Sequence, residues 1–165
     1  MKGRTFLALA AVVLAIAGLT FDTHASSDSE LLVVRLSGGD DRPKFSFTEE
    51  ELRALPQVKV ATATEFTDGV VEFEGPLARD VLAAADLGPA ELARLVAAND
   101  YSIEVPVTDF QNYDVIMALE ADGNKLSRRD KGPIWVIYPL DDHTELQDPS
   151  YTIRLVWQLT TVELR

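Results

Sequence analysis

Beyond residue 30 the apolar residues come in runs of about four to eight, each cut off by Gly, Pro, Asn or Asp. Runs of that length are strand-sized, and the helical patterns between them are short. LLVVRLSG (31–38) is a strand ended by Gly38-Gly39. KFSF alternates at Phe45 and Phe47; Thr48 then caps a helix to residue 55, with Glu51 at the capping-box position and Pro56 as its stop. VKVATATEF (58–66) sets Val58, Val60 and Thr62 on one face, TDG (67–69) turns the chain, and VVEFEG (70–75) returns it. LARDVLAAADL (77–87) places Leu77, Val81, Leu82 and Ala85 on one helical face. PAELARLVAAND (89–100) reads as a further short helix or loop. YSIEVPV (101–107) is a strand whose Pro106 predicts a sheet edge. YDVIMALEADG (113–123), IWVIYPL (134–140) and YTIRLVWQLTTVELR (151–165) are three more strands. The last is long, with Ile153, Leu155, Trp157 and Leu159 on one side, which assigns Trp157 to the core. Strands and short helices mixed in this order, with no repeat and no linker, predict one α+β domain on a mixed or mostly antiparallel sheet.

The first 25 residues read differently. Lys2 and Arg4 precede an apolar run, Phe6 to Leu19, and Thr23 and Ala25 are small residues set before Ser26. This is the pattern of a secretory signal peptide cut after Ala25, which predicts a periplasmic protein of residues 26–165 with a loose start over 26–29. The alternative is an uncleaved anchor, for which the run is short. With no Cys near the cut, a lipid anchor is not expected.

The chain has no Cys at all, so it has no disulfide, no thiolate metal ligand and no Cys nucleophile. An exported domain without disulfides rests on its apolar core. The formal charge of −12 argues against nucleic acid as a partner. Of two His residues, only His143 lies beyond the signal region, which leaves a His-based zinc site without ligands. There is no G-x-S-x-G, P-loop or dinucleotide fingerprint.

Against this acidic background RRDKGPIWVIYP (128–139) stands out. Arg129 and Lys131 form a basic knuckle that leads through Gly132-Pro133 into an aromatic strand. The knuckle is either an anion clamp or a solvated turn. Trp135 and Tyr138 fall on opposite faces of a regular strand, so Trp135 is either core or a stacking face for a flat ring. Asn99-Asp100-Tyr101 is either a polar ligand rim or an Asx turn that opens a strand. Asp141, Asp142 and His143 read as an exposed acidic turn rather than a metal site.

In order, LPQVKVATATEF (55–66), FEGPLARDVL (73–82), NDYSIEVPVTD (99–109), ALEADGNKLSRRDKGPIWVIYP (118–139) and VWQLTTVEL (156–164) resemble the sulfite-oxidase-type molybdopterin-binding domain, in a small exported form. The run D-G-x-x-L-x-x-R-D-K-G-P-x-W-x-x-Y-P is the specific part. The resemblance implies that fold over 26–165. It also implies a molybdenum-bearing Cys after the first long strand, where this chain offers Ala63 and Thr64. Without that soft ligand no molybdenum and no redox turnover are expected. The family's pocket positions fall on Lys131 and Trp135. The resemblance therefore implies a pterin pocket in which Trp135 stacks, Arg129 and Lys131 donate to the ring oxygen or a polar tail, and Asn99 and Tyr101 close the opposite rim. Asp100 or Asp109 would accept from the pterin's amino edge.

The sequence is also similar to small periplasmic pterin-binding proteins of this fold, which act as sensing partners of inner-membrane proteins of cyclic di-GMP metabolism. The function expected is thus non-catalytic pterin sensing with a small-molecule pterin and a membrane signalling protein as partners. Two alternatives stay open: a molybdopterin oxidoreductase with a non-Cys metal ligand, and an adaptor that has lost its ligand.

Overall fold

The computed structural model describes residues 29–39 and 41–165. The expected signal peptide, its cut and residues 26–28 of the expected loose start lie outside the described residues. Among the described residues no helix is long and apolar enough to cross a membrane.

Among the described residues eleven strands form three sheets. The largest holds β1 (Leu32–Leu36), β2 (Lys44–Phe47), β5 (Leu92–Ala97), β6 (Ser102–Pro106) and β11 (Leu159–Leu164) in the order β2-β1-β11-β5-β6. Of these strands β1 and β11 run parallel, and the other pairs among the described residues are antiparallel. β6, with Pro106, is an edge as expected. A second sheet joins β3 (Gln57–Ala63), β4 (Val70–Pro76), β8 (Glu120–Ala121) and β9 (Asn124–Lys125). β7 (Ile116–Ala118) and β10 (Trp135–Ile137) pair between them and are buried on both faces. Alternate side chains of this pair feed two cores. Met117, Ile134, Val136 and Tyr138 join the main one, under helices α1 (Glu49–Ala54) and α2 (Ala78–Ala85). Ile116, Ala118, Trp135 and Ile137 join the second, with Val60, Phe73 and Leu126.

The local signals behave as physical chemistry requires. Thr48 and Glu51 cap α1 reciprocally, with Glu51 N–H donating to Thr48 Oγ1 at 3.2 Å and Thr48 N–H to Glu51 Oε2 at 2.8 Å. Three expectations fail. Residues 92–97 are not helix or loop but a central strand, with Ala93, Leu95 and Ala97 on the core face. Their helix-forming side chains are overridden by ladders to β11 and β6 on both sides. The run 151–165 is not one strand. Pro149–Thr152 is a helical turn (α4), residues 153–158 are irregular, and β11 begins only at Leu159. Pro at the first helical position and Asp148, whose carboxylate accepts from Ser150 N–H, start that turn. Finally, 107–112 is a short helix (α3), and the strand expected over 113–123 splits at Leu119 between two sheets.

Gly75 shows how tightly β4 and β7 cross: a Cβ there would lie 2.2 Å from the Met117 carbonyl oxygen. Because the obstacle is backbone, Gly75→Ala is expected to cost about 1–3 kcal/mol or more, read as a lowered melting temperature.

Candidate functional site

Three segments surround an apolar cleft of about 230 Å³. The β3–β4 connection supplies Phe66. A hydroxyl-stapled turn holds it out: Thr64 N–H donates to Thr67 Oγ1 at 2.9 Å, and Phe66 N–H donates to Thr64 Oγ1 at 3.1 Å. The β5–β6 turn supplies Ala97, Asn99 and Tyr101. Asp100 adopts φ 65°, and Asn99 Oδ1 accepts from Tyr101 N–H at 3.1 Å, so the Asx-turn reading of this stretch is correct. The turn and the ligand rim are nevertheless compatible, since the same turn delivers both side chains to the cleft. The stretch between α4 and β11 supplies Thr152, Ile153, Leu155, Val156 and Trp157.

Trp157 is half-buried and meets Phe66 edge to face, with centroids 4.8 Å apart and an interplanar angle of 85°. Tyr101 reaches across and donates its hydroxyl to the Ile153 carbonyl at 2.8 Å. Phe66, Tyr101 and Ile153 are all exposed, at 36 %, 43 % and 54 %. Three of the exposed large apolar side chains of the described residues are thus gathered at one cleft.

Of the five expected ligand residues, Asn99 and Tyr101 converge on this cleft, whereas Arg129, Lys131 and Trp135 do not line it. Trp135 is 2 % exposed, and its indole Nε1–H donates to the Leu155 carbonyl at 3.1 Å. Phe73 packs edge-on against the ring at 5.2 Å, and Lys131 Nζ lies 5.2 Å from its centroid. A ring so enclosed presents no face for stacking. Trp135 and Trp157 are bridge partners across adjacent segments. The stacking role expected of Trp135 is therefore not available to it: Trp135 fills the second core beside Ala118, while Trp157 packs against that core as expected and also lines the cleft.

Arg129 is exposed and forms no ion pair among the described residues, and Lys131 pairs only with neighbouring Asp130 at 3.4 Å. The knuckle itself is well defined. Ser127 O accepts from both Asp130 N–H and Gly132 N–H, at 3.1 and 2.9 Å. A Cβ at Gly132 would lie 2.4 Å from the Leu126 backbone, so this tight loop requires glycine.

Behind the cleft wall, Asp109 is 7 % exposed. It accepts from Tyr138 Oη at 3.0 Å and from Arg154 at 2.5 Å, and Arg154 stacks on Tyr151. Burial, reinforced by the Asp109 charge, pushes the Tyr138 hydroxyl far above its ordinary range and keeps it a donor. Asp109 is thus engaged inside the fold and is not free to accept from a ligand; Asp100, exposed in the rim turn, is.

At the end of β3, where a metal-bearing side chain would sit, Ala63 N–H donates to Asp141 Oδ2 at 2.8 Å, and Asp141 N–H donates to Thr62 Oγ1 at 3.2 Å. Asp141 closes this strand end rather than forming a metal cluster with Asp142 and His143. Among the described residues no group of three His, Cys, Asp or Glu could hold an ion.

Among the cleft residues that sequence reasoning missed are the exposed or half-buried Phe66, Ile153 and Trp157. Phe66 carried a legible signal, an aromatic inside the polar turn T-E-F-T-D-G, where it has no core face to serve. Ile153 and Trp157 carried none.

Compared with known proteins, residues 23–140 match the oxidoreductase molybdopterin binding domain. Trp157 and the β11 strand lie beyond that match. No curated protein matches the chain by sequence. Among solved structures, the fold is similar to the sulfane dehydrogenase SoxCD from Paracoccus pantotrophus, with a TM-score of 0.64 and 18 % identity over 84 % of this chain. The match covers 39 % of that chain, so this protein spans well under half its length.

Proposed function

The chain belongs to the oxidoreductase molybdopterin binding domain family, and from that premise we propose that it is a non-catalytic, periplasmic pterin-binding protein that reports its ligand to an inner-membrane protein of cyclic di-GMP metabolism. One observation carries the non-catalytic reading: the family's thiolate-held molybdenum has no thiolate here, since the chain contains no Cys. The strand end that would offer it is Ala63-Thr64, closed off by Asp141. The residues present do not fit the metal, and no redox step runs through them.

A flat heteroaromatic ring fits the cleft better. Trp157 and Phe66 offer the aromatic wall, and Leu155, Val156 and Ile153 the apolar floor. The Asn99 amide and the Tyr101 hydroxyl oxygen, which can still accept, supply polar contacts at the rim. Arg129 and Lys131, which lie outside the cleft, take no part in holding the ring. The Lys2/Arg4 start and the Phe6–Leu19 run, a signal-peptide pattern, support the periplasmic reading.

The test is elemental analysis of purified protein together with calorimetric titration against a reduced pterin. Pterin binding with molybdenum far below one per chain is the expected result. Near-stoichiometric molybdenum with turnover would establish an oxidoreductase instead, and neither ligand nor metal would leave an adaptor.

A further inference from the structure

The cleft and the basic knuckle meet at one residue, Gln158. Its φ is 52°, in the left-handed region that favours glycine. The other non-glycine residues with positive φ, Asp86, Asp100 and Asp122, are all Asp, whose short side chain tolerates it. Gln has no such excuse, so the surrounding contacts must hold it there.

Those contacts all run to the two features it separates. Gln158 Nε2 donates to the Arg128 carbonyl at 3.0 Å and to the Asp130 carbonyl at 3.1 Å. Its backbone N–H donates to the Lys131 carbonyl at 3.0 Å. Its own carbonyl accepts from Ala98 N–H at 2.9 Å, between Ala97 and Asn99 of the opposite cleft wall. Trp157, immediately before it, is the cleft's aromatic wall. Just after it the β11–β5 pairing shifts register between Leu159 and Thr161. Three knuckle carbonyls and both walls of the cleft therefore hang on one strained residue.

We infer that Gln158 is a positioning residue that couples the cleft to the knuckle: a ring seated against Trp157 steadies Gln158, and Gln158 orders residues 127–132. The exposed Arg128 and Arg129, which form no ion pair among the described residues, then present a cationic surface that this clamp already shapes and that a filled cleft holds more firmly. The inference rests on reading the cleft as a pterin site, and it assigns the output of that site to the knuckle. A ligand shifts such an equilibrium only by binding the ordered state more tightly, so loosening the clamp must weaken both order and binding.

The experiment is hydrogen exchange and thermal melting of the full chain as wild type, Gln158→Gly and Gln158→Glu, with and without tetrahydroneopterin, alongside calorimetric titration. Gln158→Gly relieves the backbone strain and removes the clamp. It is expected to melt no lower than wild type, yet to exchange the amides of 128–132 about fivefold or more faster, even without ligand. Gln158→Glu keeps the shape but turns donors toward carbonyls into acceptors; it is expected to speed the same amides and to melt lower. Tetrahydroneopterin should slow exchange at 128–132 in wild type and not in either variant. Wild-type exchange in both variants overturns the inference, as does a fall of stability, binding and protection in parallel in Gln158→Gly, which is what a merely structural residue gives. If tetrahydroneopterin binds wild type but leaves 128–132 unprotected, the coupling is wrong and the pterin site stands. If it does not bind wild type, the pterin reading falls and takes the ligand-driven coupling with it.

Discussion

Trp135→Ala is expected to cost about 3–5 kcal/mol of folding stability, while Trp157→Ala costs about 1 kcal/mol or less of stability and most of the ligand affinity. The two tryptophans are bridge partners, yet their surroundings differ. Trp135 is 2 % exposed among Phe73, Lys131 and the second core. Truncating it opens a cavity and leaves the Leu155 carbonyl without its indole donor. Trp157 is half-buried and packs on Phe66 at the cleft. Losing its face removes ring burial and stacking together worth about 2–3 kcal/mol, or roughly thirty- to over a hundredfold in Kd. Thermal melts and titration of both variants decide the matter. The assignment fails if Trp135→Ala folds normally and loses the ligand, or if Trp157→Ala folds and binds as wild type does.

Asp109→Ala should be as damaging as Trp135→Ala, through electrostatics rather than volume. Removing the carboxylate strands the Arg154 guanidinium, whose side chain is only 20 % exposed, and takes the acceptor from the buried Tyr138 hydroxyl. Breaking a buried pair from one side costs about 3–5 kcal/mol, which in a domain of this size lowers the melting temperature by roughly 6–20 °C. Asp109→Asn keeps an acceptor for Tyr138 and should cost about 1–3 kcal/mol. The double variant Asp109→Ala/Arg154→Met, which removes both charges, should be more stable than Asp109→Ala alone. If Asp109→Ala melts like wild type, the network is not holding the cleft wall. If the double variant is no better than the single, the cost comes from packing rather than from an unpaired charge.

Much of the fold was legible because its signals are local. The capping box at Thr48/Glu51, the stop at Pro56, the T-D-G turn and the edge placement of Pro106 are each decided within a few residues. So were the α+β class, the alternation of β3, and the turn that carries Asn99 and Tyr101 into the cleft. The missing thiolate was legible outright, because a residue type that never occurs cannot be supplied by folding.

Other features depend on partners far away in sequence. Residues 92–97 look helical alone and become a strand because β11 and β6 flank them. Asp109 looks like a free acceptor until Arg154 and Tyr138 are folded onto it. The alternation of Ile153, Leu155, Trp157 and Leu159 suggests a single strand, but the amide of Gln158 grips a loop some thirty residues earlier and turns its own backbone to φ 52°. Next to that bend Trp157 lines the cleft, whereas Trp135 faces the second core because β10 pairs with β7 in a register that sets it beside Ala118. The sequence by itself determined which short elements form and that no Cys can hold a metal. Only the tertiary structure decided which tryptophan lines the cleft, because a side chain's facing follows from its backbone's path, and here strand pairing and hydrogen bonds to segments distant in sequence hold that path.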